Sequence, residues 1–517
     1  MDRYREVERK FEAEPGSPLP DLSGAGGTVG EAVESQLDAT YFDTADAQLA
    51  RHGITLRRRT GGEDAGWHLK LPAGQDERTE VRLPLGRATR TVPRALTRDV
   101  RAIVRDRPLV PIAVLKTTRI ERRLLDDNGE ALTAVADDTV HGQRLTGGTA
   151  AEESTWREVE VELLGDDRSV LDAVSSRLSA AGLTRSGSSS KLARVLGDLG
   201  SPTRAAELDA SHGARRATAG ALTVAYLQEQ VDQLVRADRG ARSDDPHAVH
   251  AMRVATRRLR STLATYRPLV DRQRTDPLRE ELKWLGQVLG GSRDAEVLHR
   301  RMRALIAAQP KDPVLDQVGD RIDQELGDRR EVAVADLRAA LEGERYFRLL
   351  DALDDLFAHP PLAALADKRA RKLVPALVGQ VARRVDRAAR AVADDGTGQT
   401  RNAGLHEVRK CAKRARYAAE SAVPVAGKDA RRLAERMESL QEVLGEHQDS
   451  VAAQALLLKL MMTAERSGSY ELIFGQLYAE ESGRAHDARR AYKAALRGAS
   501  AEKIRRWTDR THAMRRR

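Results

Sequence analysis

The chain has 517 residues, of which 41% are hydrophobic and 32% charged, and its formal net charge is +9. This length predicts two or more domains, and no apolar run reaches the roughly 18 residues that a membrane-spanning helix requires. The single cysteine, Cys411, excludes an intramolecular disulfide framework and a cysteine-rich zinc site, so we expect a cytoplasmic protein without membrane contacts.

Charge is divided unevenly along the chain. Residues 1–200 hold 29 Lys and Arg against 33 Asp and Glu, whereas residues 201–517 hold 58 against 45. The first part is therefore slightly acidic and the second strongly basic. This division predicts two parts with different electrostatic roles, the second of which meets an anionic partner.

The first 200 residues predict β-strands, because apolar and charged residues alternate with a period of two. The clearest strands are residues 54–59, 67–71, 79–83 and 158–163. Gly61-Gly62 and Asn128-Gly129 are typical of hairpin turns.

Charged residues are concentrated on one face of these strands. Glu6, Glu8 and Lys10 alternate along the first strand, and three more glutamates alternate from position 158 to 162. A solvated sheet face explains any single strand, but several acids on one face repel each other. A closed β-barrel explains the whole set, because carboxylates in its lumen can gather hard cations while bases hold a polyanion. The pattern therefore favours metal-assisted phosphoryl chemistry.

Several of these segments, taken in order, resemble the CYTH superfamily of triphosphate tunnel enzymes. They are Glu6-Val-Glu8-Arg-Lys10, Tyr41-Phe-Asp-Thr with Leu56-Arg57-Arg-Arg59, Trp67-His-Leu-Lys70, and Trp156-Arg-Glu158-Val-Glu160-Val-Glu162. The resemblance covers roughly residues 1–200 and implies an eight-stranded antiparallel tunnel with helices. Members of the superfamily include inorganic and thiamine triphosphatases and one class of adenylate cyclases.

The resemblance also implies roles for individual residues. It implies that Mg²⁺ or Mn²⁺ is held by Glu6, Glu8, Glu80, Asp138, Glu158, Glu160 and Glu162. Asp137 is the alternative to Asp138. It implies that the triphosphate is bound by Lys10, Arg57, Arg59, Lys70, Arg119 and Arg123. The implied catalytic residues are Glu6, Glu8, Glu160, Glu162 and Lys191.

After about residue 215 the sequence becomes rich in Ala, Leu and Arg with helical spacing, and it contains an internal repeat. His250 and His406 are each followed by basic residues at offsets +3, +7, +8 and +10. Farther along, Leu289-Gly290 matches Leu444-Gly445. We expect a linker at residues 201–215 and an all-α domain at 216–517, with its two copies at about 216–370 and 371–517. The predicted fold class is therefore α+β.

Each copy places basic residues on one stripe of a helix. At 100° per residue, offsets 0, +3, +7 and +10 fall within an arc of about 80°, whereas Arg258 and Arg414 lie outside it. Cations on successive turns repel each other unless acids or a bound anion intervene. Aromatic residues make up only 3% of the chain, which argues against single-stranded nucleic acid. A flexible phosphate chain fits the stripes better.

These motifs resemble the conserved-histidine α-helical domain, CHAD, over roughly residues 216–517. The resemblance implies two pseudo-symmetric helical bundles around a basic surface that binds inorganic polyphosphate, and an association with polyphosphate granules. The implied contacts are His250, Arg253, Arg257, Arg260, Lys283, Arg293, His406, Arg409, Lys410, Lys413 and Arg416.

We therefore expect a metal-dependent triphosphatase, acting on inorganic triphosphate or a related triphosphate, that is fused to a polyphosphate-binding module. One alternative is a polyphosphate receptor whose tunnel binds without turnover. The others are an adenylate cyclase and a helical half that binds nucleic acid.

Overall fold

The computed structural model describes residues 2–74, 76–86, 91–146, 149–200, 217–393, 398–463 and 468–509. The chain divides into two compact units, Met1–Thr203 and Arg204–Arg517. The predicted linker at 201–215 lies outside the described residues. In the described part of the chain, no helix is both long and apolar enough to cross a bilayer.

The first unit is a closed antiparallel barrel. Eight strands follow one another in the order β1-β6-β5-β4-β3-β7-β8-β9, and β9 pairs back with β1. Two short strands, β2 and β10, pair with β7 and β1. The predicted eight-stranded tunnel is confirmed. The strands are β1 (Asp2–Ala13), β2 (Thr28–Val29), β3 (Val33–Asp43), β4 (Thr55–Thr60), β5 (Gly66–Gly74), β6 (Glu77–Leu83), β7 (Val110–Leu125), β8 (Ala131–Thr146), β9 (Thr149–Leu163) and β10 (Thr184–Arg185).

The apolar core of this unit lies outside the barrel, under helices. Val7, Val159 and Val161 point outward from β1 and β9 and pack against Leu171 and Leu178. The last two belong to α4 (Arg168–Ala180), whose amino terminus is capped by Asp167. Because side chains alternate along a strand, covering the apolar face in this way turns the charged face into the lumen. The other helices of the unit are α1 (Gln48–Arg51), α2 (Arg94–Asp99), α3 (Arg101–Val104) and α5 (Lys191–Leu196), followed by a 3₁₀ turn at Gly197–Gly200.

Two local features shape the barrel wall. The Asp43 carboxylate is fully buried and accepts hydrogen bonds from the backbone N–H groups of Thr44, Leu49 and Ala50, so it fixes the turn that follows β3. Gly61, in the predicted β4–β5 hairpin, has a φ of +79°, and a Cβ atom there would lie 2.0 Å from the Gln36 carbonyl oxygen. This turn therefore requires glycine.

The second unit is helical, and its helices form two successive runs. The first run is α6 (Ala219–Arg242), α7 (Pro246–Thr265), α8 (Arg272–Ala307), α9 (Pro313–Glu342) and α10 (Glu344–Ala358), with 3₁₀ turns at Arg267–Leu269 and Ala364–Asp367. The second is α11 (Ala370–Ala393), α12 (Gly398–Ser421), α13 (Val423–Thr463), α14 (Gly468–Ser500) and α15 (Glu502–Asp509). Near the start of α13 the helix is interrupted at Gly427, where φ is 53°.

Each of the first four helices of one run contacts its counterpart in the other. The pairs are α6 with α11, α7 with α12, α8 with α13, and α9 with α14. Met302, Leu326, Leu457 and Phe474 belong to one apolar core that joins α8, α9, α13 and α14. The predicted helical region of two related bundles is confirmed, and its division near residue 370 stays a prediction.

Candidate functional site

The barrel lumen brings together most of the charged residues predicted from the sequence. It encloses a cavity of about 60 Å³, small because acidic and basic side chains reach across it to each other. The predicted residues that line the cavity are Glu6, Glu8, Lys10, Arg57, Arg59, Lys70, Glu80, Arg119, Glu160, Glu162 and Lys191. Asp138 and Glu158 lie behind this lining, buried in the wall.

Strand register explains why acids from distant segments meet. β1 and β9 are neighbours, and their pairing sets Glu8 opposite Glu162 and Lys10 opposite Glu160. We call Glu6, Glu8 and Glu162 the acid cluster. Burial and the nearby Glu6 raise the pKa of Glu162 to about 7, whereas Lys10 and Lys70 outweigh burial and lower the pKa of Glu8 to about 2.

Helix α5 inserts a lysine among three other carboxylates. Ser190 caps the helix, accepting a hydrogen bond from the Ala193 N–H, and Lys191 begins its first turn. The Lys191 Nζ lies 2.8 Å from Asp138 Oδ2, 2.8 Å from Glu158 Oε1 and 2.7 Å from Glu160 Oε1. Although burial opposes the charge, these acids raise the pKa of Lys191 well above its usual value.

Asp138, rather than Asp137, faces the interior. Arg119 donates two hydrogen bonds to the Asp138 carboxylate, at 2.8 and 2.7 Å, and a third to Glu160 at 2.7 Å. Asp137 points to the opposite face of β8 and pairs with Arg157 at 2.8 Å. Of the two aspartates, Asp138 is thus the one whose side chain faces the interior, and its role as a metal ligand stays a prediction.

The remaining cations of the lumen also have partners. Lys10 contacts Glu160, and Lys70 contacts Glu6. Arg57 donates a hydrogen bond to the Tyr41 hydroxyl at 3.2 Å. Together with the contacts of Arg119 and Lys191, these pairs neutralise part of the charge in the lumen, whereas the hydroxyl that Arg57 contacts is uncharged.

The structure does not bring Arg123 into this group. Its side chain is 52% exposed, and its Nε donates a hydrogen bond to Glu121 at 3.0 Å. The β3–β7 pairing ends at Val33 and Glu121, so Arg123 lies beyond the part of the wall that β3 completes. The period-two pattern alone did not reveal where that pairing ends.

Sequence analysis gave no role to several residues near the lumen. His68 is buried; its Nδ1 lies 2.9 Å from Glu80 Oε1, and its Nε2 lies 2.9 Å from the Asp64 carbonyl oxygen. The Asp64 side chain contacts Arg59. Arg78 and Arg82 line the cavity as well. Their spacing from Glu80 in the sequence places both arginines on its strand face, whereas nothing in the sequence connects Asp64 with the lumen.

The carboxylates fit a divalent cation in donor type. Within the described ranges, no three His, Cys, Asp or Glu side chains form a preassembled metal site. However, Glu6 Oε2 is buried without a hydrogen-bond partner, and the Glu162 carboxylate pairs with no described side chain. Mg²⁺ and Mn²⁺ prefer carboxylate oxygen, and either would relieve the repulsion within the acid cluster.

In the second unit, the predicted stripes of α7 and α12 meet. We call Arg253, Arg257, Arg409 and Lys413 the central cations. Arg253 pairs with Asp294 at 2.9 Å, whereas the other three pair with no described residue. Burial and neighbouring arginines lower the pKa of Arg257 to about 10 and that of Lys413 to about 7. Uncompensated charge of this kind favours an anionic ligand.

The other predicted residues of this surface differ in their surroundings. Arg260 pairs with no described residue. The two predicted histidines, His250 and His406, are exposed, and His406 Nδ1 lies 3.1 Å from Gln448 Oε1. The rest pair with acids of their own helices: Lys283 with Glu280 at 3.1 Å, Arg293 with Glu296 at 2.5 Å, Lys410 with Glu407 at 2.5 Å and Arg416 with Glu420 at 2.8 Å.

Comparisons with known proteins agree with this architecture. Family models match a CYTH domain at residues 4–196 and a CHAD domain at residues 225–458. The uncharacterized protein MT2285 of Mycobacterium tuberculosis is 38% identical over 517 residues, covering 96% of each chain.

Two solved structures resemble parts of the chain. PptA from Streptomyces chartreusis is 24% identical with a TM-score of 0.48, covering 54% of this chain and 100% of that one. The CHAD domain from the plant Ricinus communis is 25% identical with a TM-score of 0.44, covering 55% and 92%. The family models and the full-length relative show that the chain belongs to the family of proteins in which a CYTH domain is followed by a CHAD domain.

Proposed function

We propose that the barrel unit is a divalent-metal-dependent hydrolase of inorganic triphosphate or a closely related triphosphate. The observation that carries this proposal is the buried acid cluster, in which Glu6 Oε2 and the Glu162 carboxylate have no described partner while lysines and arginines surround the rest of the lumen. Such an arrangement supports binding of cations and phosphates together, because each compensates the charges left by the other.

The lumen favours an inorganic substrate. Of the residues that line the cavity in the described part of the chain, Tyr41 is the single aromatic one, and its hydroxyl accepts a hydrogen bond from Arg57. A nucleobase or a thiamine ring gains affinity by stacking on aromatic faces or filling an apolar pocket, and this wall of charged side chains supplies neither. Inorganic triphosphate needs only charged contacts.

The chain's own residues would divide the work of hydrolysis between them. When bound at the acid cluster, Mg²⁺ or Mn²⁺ would supply positive charge to the terminal phosphoryl group and polarise the attacking water. Lys10, Lys70 and Arg57 would exchange their present partners for phosphate oxygens and neutralise the charge that develops on the leaving phosphate. Lys191 and Arg119 would hold Asp138 and Glu160 in place.

Phosphate release from the purified full-length protein tests this proposal. We expect release from tripolyphosphate with Mg²⁺ or Mn²⁺ and none with a chelator, with thiamine triphosphate, ATP and long polyphosphate cleaved more slowly. Binding without metal-dependent release would instead support a receptor. Cyclic nucleotide formed from ATP would support a cyclase.

We further propose that the helical unit binds inorganic polyphosphate. The proposal is supported by three central cations, Arg257, Arg409 and Lys413, that pair with no described residue although they are partly buried side by side. A flexible chain of phosphates carries closely spaced negative charge without bases to recognise, and so complements this surface.

Titration with long polyphosphate, in competition with single-stranded RNA, distinguishes the two anionic partners. We expect polyphosphate to bind and to displace RNA completely. RNA binding that survives an excess of polyphosphate would favour the nucleic-acid alternative and contradict this part of the proposal.

A further inference from the structure

The internal repeat sets two equivalent pairs of arginines beside the central cations. Arg258 and Arg414 both lie at offset +8 from their histidine, and Arg260 and Arg416 both lie at offset +10. Because α7 packs against α12, Arg258 comes close to Arg416 on one side, where both contact Glu420. Arg260 comes close to Arg414 on the other side. Perfect pseudo-symmetry would make the two sides electrostatically alike.

One side is neutralised, and we call it the neutralised flank. Arg258 and Arg416 share the Glu420 carboxylate, at 2.9 and 2.8 Å. Arg416 also pairs with Glu438 at 2.9 Å. Both guanidinium groups approach the ring of Tyr417, with their carbons 5.8 and 6.0 Å from its centroid. These cations already have partners, so little charge remains for a ligand.

The opposite side, which we call the arginine flank, consists of Arg260, Arg384 and Arg414. These three side chains pair with no described residue. Arg384 is contributed by α11, which packs against α12. Burial and repulsion by Arg384 lower the pKa of Arg414, and burial and repulsion by Arg279 outweigh the nearby Glu280 and lower the pKa of Arg260, as expected where like charges predominate.

The arginine flank continues along α11. Arg383, Arg384, Arg387 and Arg390 recur at helical spacing and line a cavity of about 480 Å³. Among the described residues of that lining, Asp386 is the single acid; it pairs with Arg505 and accepts a hydrogen bond from Ser500, and Arg383 pairs with Asp509 at 3.3 Å. A basic surface therefore runs from the arginine flank onto α11.

We propose that a bound polyphosphate chain leaves the central cations over the arginine flank and onto α11, and not over the neutralised flank. Arg384 and Arg414 are thereby assigned to the binding site, and polyphosphate is bound on one side of a pseudo-symmetric module. The inference rests on the proposed polyphosphate binding. It concerns long chains, which have phosphates enough to occupy the central cations, the arginine flank and the arginines along α11 at the same time.

Arg258 and Arg414 are a matched pair of positions for the test, since the repeat makes them equivalent. The affinity of the full-length protein for long-chain polyphosphate and for tripolyphosphate would be measured at several salt concentrations. We expect Arg414→Gln and Arg384→Gln each to weaken long-chain binding roughly three- to tenfold and to lower the salt dependence by about one charge. Arg258→Gln should change the affinity for long-chain polyphosphate less than about twofold.

Arg409→Gln, at the central cations, distinguishes a failure of the one-sided path from a failure of polyphosphate binding itself. If it abolishes long-chain binding while Arg414→Gln and Arg258→Gln have equal effects, the one-sided path is wrong and polyphosphate binding stands. If the unsubstituted protein does not bind polyphosphate, the proposed function itself fails. Arg384 is exposed, so its substitution leaves the fold intact and gives a second result should Arg414→Gln unfold the protein.

Discussion

Glu6 is a buried, charged residue to which the proposed chemistry assigns a metal ion. Its side chain is 6% exposed, one carboxylate oxygen contacts Lys70, and the other has no hydrogen-bond partner. A buried unpaired oxygen costs free energy that a bound cation would recover. The strand pattern that suggested this role from sequence is therefore supported by the atom left unpaired in the fold.

We expect Glu6→Gln to lower kcat for tripolyphosphate about 100-fold or more at saturating metal, because the amide supplies no negative charge to the cation. Steady-state phosphate release would measure the change, and circular dichroism would check the fold. Glu152→Gln, at an exposed position of the same barrel, is the control and should leave kcat unaltered. Equal activity of both variants would remove Glu6 from the metal site.

Lys413 makes the proposed polyphosphate binding depend on pH. Burial and the nearby Arg409 lower the pKa of Lys413 to about 7, and a bound polyanion would raise it by supplying opposite charge. Below pH 7 the lysine is already protonated and affinity should be flat. Above pH 7 binding must take up a proton, so affinity should fall by up to tenfold per pH unit.

The change to measure is the Kd for long polyphosphate between pH 6 and pH 9. Lys413→Arg is the informative variant, since arginine stays charged over this range and should largely abolish the decline. A decline of the same size in both proteins would show that Lys413 is not its source.

At the scale of elements, two equivalent glycines lie beside arginines of the central cations. Gly290 in α8 and Gly445 in α13 are equivalent in the repeat. A Cβ atom at Gly445 would lie 3.0 Å from Arg409 Nη2, whereas one at Gly290 would lie 3.8 Å from Arg253 Nη2. The repeat therefore contains one tight contact and one ordinary contact between the same kinds of residue.

We expect Gly445→Ala to weaken polyphosphate binding roughly three- to tenfold by displacing the Arg409 guanidinium, and Gly290→Ala to leave binding unchanged. Both variants should gain about 0.5–1 kcal/mol in the free energy of unfolding, because alanine is the better helix former. Binding titrations and chemical denaturation would measure the two effects. Equal binding by both variants would contradict the argument.

Helix α5 and strand β8 fit together only because residue 142 is a glycine. A Cβ atom at Gly142 would lie 2.6 Å from a methyl carbon of Val195 in α5 and 2.9 Å from the Trp156 ring. Gly142→Ala should shift α5 and with it Lys191, lower tripolyphosphate hydrolysis and cost about 1–3 kcal/mol of stability. Gly187→Ala, whose Cβ meets no atom within 4 Å, is the control for both measurements.

At the scale of the whole molecule, the apolar cores belong to separate units. The core that contains Leu171 lies within residues 1–203, and the core that contains Leu457 lies within residues 204–517. Separate cores are what allows domains to unfold independently.

We expect two transitions in calorimetry of the full-length protein. Leu171→Ala should lower the midpoint temperature of only one transition, and Leu457→Ala that of only the other. Each substitution should cost its unit about 2–5 kcal/mol in the free energy of unfolding, because both side chains are almost fully buried. A single transition that both substitutions lower equally would show that the units unfold together.

Much of the fold and site follows from local periodicity. A period of two places Glu6, Glu8 and Lys10 on one strand face, and the backbone geometry that causes it operates within a few residues. The helical period and the repeat likewise indicate that the basic stripes on α7 and α12 are equivalent. Both the closed tunnel and the meeting of the two stripes agree with these patterns.

Contacts between distant segments set the limits of such prediction. Asp138 rather than Asp137 faces inward because the register of β8 on β7 sets Asp138 opposite Arg119. Arg123 lies outside the lumen because the pairing of β3 with β7 ends at Glu121. Asp64 reaches Arg59 only across a hairpin turn. Register and strand ends depend on the closure of the whole barrel, and no short stretch of sequence contains that information.

The amino-acid sequence alone determines that one strand face is charged, that the helical repeat is basic, and that residue types able to bind cations and phosphates are present. It does so because periodicity and side-chain chemistry are local properties. Which of those charges are neutralised depends on packing. Arg258 and Arg414 occupy equivalent positions in the repeat, yet one pairs with Glu420 and the other faces unpaired arginines, since ion pairs form between whichever side chains the folded chain brings within a few ångströms.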